Sequence, residues 1–284
     1  MKLWLIFAIV TTLFWGVWGA LIEIPEKAGF PATLGYTVWA ITMIPCALVA
    51  LWVIGGKLEW DRRSILLGST VGLLGAGGQL ILFQALRLGP AYLVFPIISL
   101  YPTLTVLLSV TLLKEKAGRR AWIGIALALV AIFLLSYQPP TSQLVGGYFW
   151  LFLALLVFAA WGLQAYVMKF SNETMKAESI FFYMMLTAVI LIPFAILMTD
   201  FGQPINWGFK GPYLAALIQV LNSIGALCLV YALRYGKAII VVPMTALAPV
   251  LTVLLSLAIW QVTPHPLTGA GIVVASISIY LMAE

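Results

Sequence analysis

The sequence predicts an all-α integral membrane protein of ten transmembrane helices, built from two inverted five-helix repeats. Three observations carry this. Hydrophobic residues make up 63% of the 284-residue chain and charged residues 8%, with a mean hydropathy of +1.10, whereas soluble domains carry about a quarter charged residues. Apolar stretches of about 20 residues, the length that crosses a bilayer, follow one another with short loops between them. Finally, residues 85–109 (ALRLGPAYLVFPIISLYPTLTVLLS) return as 232–256 (ALRYGKAIIVVPMTALAPVLTVLLS), 147 positions later, without a gap and with 15 of 25 residues identical. Self-similarity at one fixed offset marks a unit used twice.

The first span is expected at roughly 3–22, where Lys2 is followed at once by apolar residues without an A-x-A-type cleavage site. The stretch is too long for a signal-peptide core and reads as a retained helix. The next four are expected at roughly 31–55, 64–86, 90–113 and 120–137, and the second five at roughly 146–168, 178–199, 211–234, 238–260 and 266–283. These consume the chain almost completely and leave no room for an extramembrane domain. Trp15-Gly16 recurs as Trp161-Gly162, Ile44-Pro45 as Ile192-Pro193 and Gly124 as Gly271, at offsets of 146 to 148. The unit is therefore five spans, with 1–140 as the first repeat and 141–284 as the second. An odd number of spans makes the two copies enter the membrane from opposite sides. Inverted repeats of this kind underlie alternating access in many secondary transporters.

Charge orients the bundle. With the N-terminus placed in the cytoplasm, twelve of the fifteen Lys and Arg fall on the inner side, and only Lys27, Arg87 and Lys210 on the outer. This positive-inside bias predicts cytoplasmic termini and a bacterial inner (plasma) membrane. The net charge of +6 thus reports topology, not nucleic-acid binding. Cys46 and Cys228 lie in apolar stretches of different halves and read as small buried hydrophobes.

The Trp15-Gly16 pair, the Ala-Leu-Arg-x-Gly hairpin before a proline-containing helix, and Leu112-Leu113-Lys114-Glu115 followed by Gly124 together resemble the drug/metabolite transporter superfamily. The likeness is to its EamA-type branch of ten helices in two five-helix repeats, and it covers the whole chain. In the second half Gln261-Val262 stands where the acidic residue would fall, although Gly271 is retained. The resemblance implies a transporter of small organic solutes.

Residues three and four apart share a helix face. In helix 8, Gln219, Asn222, Ser223 and Ala226 form one polar stripe; their repeat mates in helix 3 are Gly72, Gly75, Ala76 and Gln79. Amides facing lipid would be unpaired, so Gln79, Gln219 and Asn222 are expected at a watery cavity, whereas the glycines read as packing contacts. Trp15 with Gly16, and Trp161, are expected to line the same site, because an indole N–H at that depth needs a partner. Pro96 and Pro102 match Pro243 and Pro249. Each proline frees a carbonyl, those of Tyr92, Ile98, Ile239 and Thr245, and broken helices at equivalent places in inverted halves point to a central site with hinges. Tyr92, Ser99, Ser223 and Thr245 complete the expected substrate contacts. Glu23 and Lys169, also repeat mates, are expected at the rims or as ordinary interfacial charge. Arg87 and Arg234 read as helix-end cations before terminating glycines.

No Asp or Glu falls in the interior of a predicted span, which disfavours a strongly cationic substrate and leaves Glu23 as the one acid on an inward-looking face. His265 stands alone, so no enzyme, metal or cofactor is expected. The sequence therefore points to a transporter of a small neutral or zwitterionic metabolite, amino acids first. The alternatives are a sugar, nucleoside or drug transporter of the same fold, a non-transporting membrane sensor, or a lipid-translocating protein. The expected partners are the small-molecule substrate and membrane lipid; monomer and homodimer both remain open.

Overall fold

A computed structural model describes residues 2–137, 147–260 and 265–283; Gln261 and Val262 lie outside the described residues. All described regular structure is helical, as a bilayer requires of chains that must satisfy every backbone group internally. The spans are α1 (Leu3–Leu21), followed by a one-turn helix Glu23–Lys27, α2 (Ala32–Val53), α3 (Arg62–Leu88), α4 (Ala91–Thr111) and α5 (Arg119–Leu135). The second repeat supplies α6 (Phe149–Ser171), α7 (Ala177–Leu197), α8 (Phe209–Tyr235), α9 (Ala238–Trp260) and α10 (Pro266–Met282). Eight are long and apolar enough to cross a membrane outright. α5 and α10, each of 17 residues, pack against one another and sit at the short end of the spanning range.

Packing repeats with the sequence. α1 lies on α8 and α9, and its counterpart α6 lies on α3 and α4. α2 packs on α8, and α7 on α3. The core between these pairs is Ala- and Met-rich, with Tyr183 and Phe181 of α7 fully buried. Large apolar side chains such as Leu48, Trp52, Phe152, Ile190 and Val273 point outward, where only lipid can shelter them.

Local chemistry explains the ends and breaks. Asp61 caps α3 by accepting from the Arg63 and Ser64 N–H groups, and Pro266 opens α10 at a first-turn position that lacks an N–H partner anyway. α4 breaks at Leu100, between Ala91–Ser99 and Tyr101–Thr111. α9 breaks at Ala246 and Leu247, between Ala238–Thr245 and Ala248–Trp260. Pro102 and Pro249 open the second halves. Two features go beyond the periodicity of the sequence: a π-helical turn at Leu73–Gly77 inside α3, and a kink at the start of α8, where Gly211 is non-helical (φ −92°, ψ −112°). One extra residue per turn leaves carbonyls with displaced partners, often at functional sites.

The hairpin glycines differ from expectation. Gly89 and Gly236 have φ of −128° and −120°, so they do not end their helices in the left-handed conformation. A Cβ on Gly89 would lie 2.5 Å from the Trp150 ring, and one on Gly236 2.7 Å from Val241 Cγ2 and 2.9 Å from Ala232 O and Trp4 Cβ. Space for those neighbours is what demands glycine. Arg87 donates to the Met198 carbonyl at the end of α7, and Arg234 Nη1 to Met175 O at 3.1 Å. Each arginine therefore ties its helix to a carbonyl outside it.

Candidate functional site

Between the two repeats lies a cavity of about 460 Å³, within the range that holds a small organic molecule. Four indoles line it, those of Trp15, Trp18, Trp39 and Trp161, together with the Tyr101 ring. Polar groups come from the amides of Gln79, Gln164 and Asn222 and from the hydroxyls of Ser99, Ser136, Thr245 and Thr252; Met43, Met168 and Met184 supply flexible apolar wall. Among the described residues, no Asp, Glu, Lys, Arg or His reaches the lining.

The repeat is written into the hydrogen bonds. Trp15 Nε1 donates to Asn222 O and Trp161 Nε1 to Gly75 O, both at 3.3 Å, and the two acceptors are 147 positions apart. Gly225 and Gly78, again repeat mates, lie beneath the indoles: a Cβ there would stand 2.7 and 2.6 Å from the respective Nε1. Thr252 Oγ1 donates to Gly16 O and Thr105 Oγ1 to Gly162 O, both at 2.9 Å. In each half, then, the first helix is pinned to its partners through backbone carbonyls of small residues, and this pinning fixes where the paired indoles sit.

The halves differ in where they place an amide. Trp18 Nε1 donates to Gln219 Oε1 at 3.0 Å in one half. Trp18's mate is Gln164, and it sits over glycine instead: a Cβ on Gly75 would fall 2.1 Å from Gln164 Nε2. The Gln79 and Gln164 amides make no hydrogen bond to another described residue. Trp39 Nε1 is buried with no partner among the described residues. A buried unpaired donor is costly. The Trp39 ring lines the cavity, but its N–H is enclosed and does not open onto that space.

The structure brings Trp15, Gln79, Ser99, Trp161, Asn222, Thr245 and Pro249 to this cavity. It does not bring Gly16, Tyr92, Gln219 or Ser223 to the lining. Gln219 is buried and engaged at both ends: its oxygen accepts from Trp18 and from Asn222 Nδ2 (3.4 Å), and its Nε2 donates to Gly35 O at 3.2 Å. Ser223 is buried against Thr42 at 3.0 Å. Gly16 is covered by Leu251 and Thr252, and Tyr92 lies half-buried in the first turn of α4. Pro96 and Pro243 stand inside the first halves of α4 and α9, and Pro102 is buried. Of the expected freed carbonyls, Ile98 O accepts the Leu100 N–H across the break. Glu23 forms an exposed pair with Lys27 at 2.7 Å, away from the cavity. Lys169 Nζ donates to Leu233 O (3.0 Å) and Gly236 O (2.8 Å), holding the end of α8. Among the described residues, the acid most enclosed by the fold is Glu178, buried at the start of α7 and accepting from the Tyr231 hydroxyl, not Glu23.

Sequence reasoning missed Trp18, Trp39, Gln164, Tyr101, Ser136 and Thr252. Trp18 and Gln164 were findable, each three residues after a flagged tryptophan and 146 positions apart. Trp39 has Leu186 and Thr187 at the corresponding offsets, so the repeat carries no signal for it. Beyond the cavity, Glu115 accepts from the Ala238 and Ile239 N–H groups at 3.1 and 3.0 Å and so caps the first half of α9.

The chain matches the EamA-like transporter family over residues 2–137 and 148–283. An uncharacterized transporter of Archaeoglobus fulgidus is 23% identical over 173 residues, 61% of this chain and 59% of that one. Protein LicB of Haemophilus influenzae is 24% identical over 217 residues, 70% of each. A solved crystal structure superposes with a TM-score of 0.77 over 98% of both chains at 16% identity, a likeness of fold.

Proposed function

The chain belongs to the EamA-like transporter family, and we propose that it is a secondary transporter moving a small neutral or zwitterionic organic metabolite by alternating access, with amino acids the first class to test. That it is an integral membrane transporter of the drug/metabolite type follows from the family. The finer reading rests on one observation: the cavity between the repeats is walled by indoles and uncompensated amides and carries no charged side chain among the described residues. Such a lining desolvates a compact solute at little cost and orients it through hydrogen bonds. A bare cation would find no counter-charge there.

The two helix breaks support the transport cycle. Leu100 and Leu247 are repeat mates at discontinuities of α4 and α9, and broken helices in inverted halves are where such carriers bind and bend. The charge distribution along the sequence supports cytoplasmic termini. A sugar or nucleoside is the second reading, favoured by the four indole faces, on which a ring can stack.

A thermal-shift screen of purified protein against amino acids, sugars and nucleosides identifies the class, since a ligand raises apparent stability by mass action. Uptake of the best ligand into proteoliposomes then tests transport. Binding without flux would sink the transporter reading in favour of a sensor. Flux of fluorescent phospholipid between leaflets in place of the solute would replace it with lipid translocation.

A further inference from the structure

Packing divides the spans into two groups, each drawn from both repeats. α1 and α2 lie on α8, with α9 on α1; α6 and α7 lie on α3, with α4 on α6. α2 and α7 touch along the divide. The two ends of that divide differ. The first half of α9 packs on the second half of α4, on α5 and on α6. Its repeat mate, the first half of α4, makes no comparable contact with the second half of α9, with α10 or with α1 among the described residues. α6 also touches α8, whereas their mates α1 and α3 show no comparable packing. The groups are therefore drawn together at the end where α1 begins, which the charge distribution assigns to the cytoplasm. At the other end the described residues stand apart.

Polar side chains fasten the closed end. Near the end of α6, Lys169 Nζ donates across the divide to Leu233 O (3.0 Å) and Gly236 O (2.8 Å), carbonyls at the end of α8. One turn on, Asn172 Nδ2 donates to Val230 O at 3.1 Å. In the opposite sense, Arg234 of α8 donates to Met175 O at 3.1 Å and the Tyr231 hydroxyl to Glu178 of α7. The matching positions at the other end lack this chemistry. At the 146-residue offset that relates Trp161 to Trp15, Lys169 is matched by Glu23 and Asn172 by Glu26. A carboxylate has no hydrogen to give a helix-end carbonyl, and the partial charge there repels it. Tyr231 is matched by Gln84 and Glu178 by Pro31. Arg87, the mate of Arg234, turns to Met198 O of α7, within its own group.

We propose that Lys169 and Asn172 are positioning residues for the transport cycle, resting on the alternating-access reading above. They latch the cytoplasmic end, hold the empty carrier with its cavity turned outward, and release α8 at each inward turn. Asn172 also carries a replacement partner. Its Oδ1 is buried without a hydrogen bond among the described residues, three residues after Lys169 on the same helix face. When the Leu233 and Gly236 carbonyls move away, Lys169 Nζ passes to that oxygen and to the end of α6, where a cation complements the helix dipole. An orphaned acceptor that is costly in one state is satisfied in the other.

The test uses the full chain in sealed membrane vesicles of either orientation, with Cys46→Ala and Cys228→Ala so that single reporter cysteines can be read. The probe is a membrane-impermeant maleimide. Ser136→Cys reports the outer end of α5 and Leu229→Cys the cytoplasmic floor of the cavity, which both residues line. With the latch intact, Ser136→Cys should label from outside, and Leu229→Cys only slowly from the cytoplasmic side. Lys169→Met should raise the Leu229→Cys rate about tenfold or more, as loss of a charge-assisted bond implies, and lower the Ser136→Cys rate. If Lys169→Met fails to fold, Asn172→Ala should shift both rates in the same opposed directions severalfold. Unchanged rates, or rates that rise together at both reporters as general loosening would produce, would overturn the latch. The labelling needs no solute, so opposed shifts in a protein that moves none would keep the latch and sink the transport reading.

Discussion

Replacing Trp39 with phenylalanine separates binding from folding by giving them opposite signs. Trp39 lines the cavity, and its Nε1 is buried without a partner among the described residues, so the ligand-free protein carries the desolvation cost of an unmade hydrogen bond, about 1–3 kcal/mol. Removing the N–H relieves that cost, while the smaller ring forfeits part of its apolar burial, about 1 kcal/mol. The ligand-free melting midpoint should therefore hold or rise. Trp161→Phe is the control: its N–H is bonded to Gly75 O at 3.3 Å, and its loss should lower the midpoint by the equivalent of about 1–2 kcal/mol. Binding should move the other way. If the ring turns on binding so that its N–H reaches the solute, the Trp39 variant loses about 0.5–1.5 kcal/mol against a neutral acceptor and about 1.5–3 kcal/mol against a carboxylate. Since 1.4 kcal/mol is tenfold, Kd should rise roughly 2- to 12-fold for a sugar and roughly 12- to 150-fold for an amino acid. Calorimetric titration of the best ligand from the screen, beside melting curves without ligand, reads both quantities. Unchanged Kd in Trp39→Phe, with a midpoint that falls as far as that of Trp161→Phe, would refute the reasoning.

Gly75→Ala places a methyl about where Gln164 Nε2 now lies, so solute binding should drop about tenfold or more, with Gln164→Ala recovering the melting midpoint of the double variant but not the affinity. Thr105→Val and Thr252→Val each remove one hydrogen bond to a glycine carbonyl; each should cost about 1 kcal/mol by chemical denaturation, and the two should add because they lie in opposite halves. Glu115→Gln weakens a charged cap on two N–H groups and should lower stability by about 1–2 kcal/mol while ligand affinity in the cavity moves less than threefold. The Ser64 hydroxyl, with the Ser64 and Arg63 N–H groups, holds the Asp61 carboxyl below its usual range. Its contribution is complete above the ordinary carboxylate pKa and is lost as pH falls through the lowered one. The melting advantage of wild type over Asp61→Ala should thus be constant at neutral pH and shrink below about pH 4.

The ten spans were legible because bilayer crossing is a demand on length and composition, which the sequence states directly. The breaks were half legible. Paired prolines marked the region, but the discontinuities fall at Leu100 and at Ala246-Leu247, where the geometry of α4 and α9 is decided by what they pack on. The π turn at Leu73–Gly77 has no periodic signature at all. Of the expected site, Trp15 and Trp161 stood out because duplication kept them. Gln219 and Asn222 share one face of α8 and looked alike. What separates them is Gly35 of α2 and Trp18 of α1, which occupy one amide and leave most of the other. Helix faces can be read along a single helix, but which donors a neighbour occupies depends on residues far away in the chain.

Glu115 clamps the first half of α9, whereas its repeat-related position is Val262, whose side chain can accept no hydrogen bond. If the proposed transport cycle holds and the second half carries no equivalent clamp, its two halves are unequal in energy by roughly the value of a charge-assisted bond, about 1.5–3 kcal/mol. For a carrier without a coupling ion, detailed balance forbids that inequality from building a gradient. It would appear instead as different half-saturation concentrations on the two faces, offset by different maximal rates.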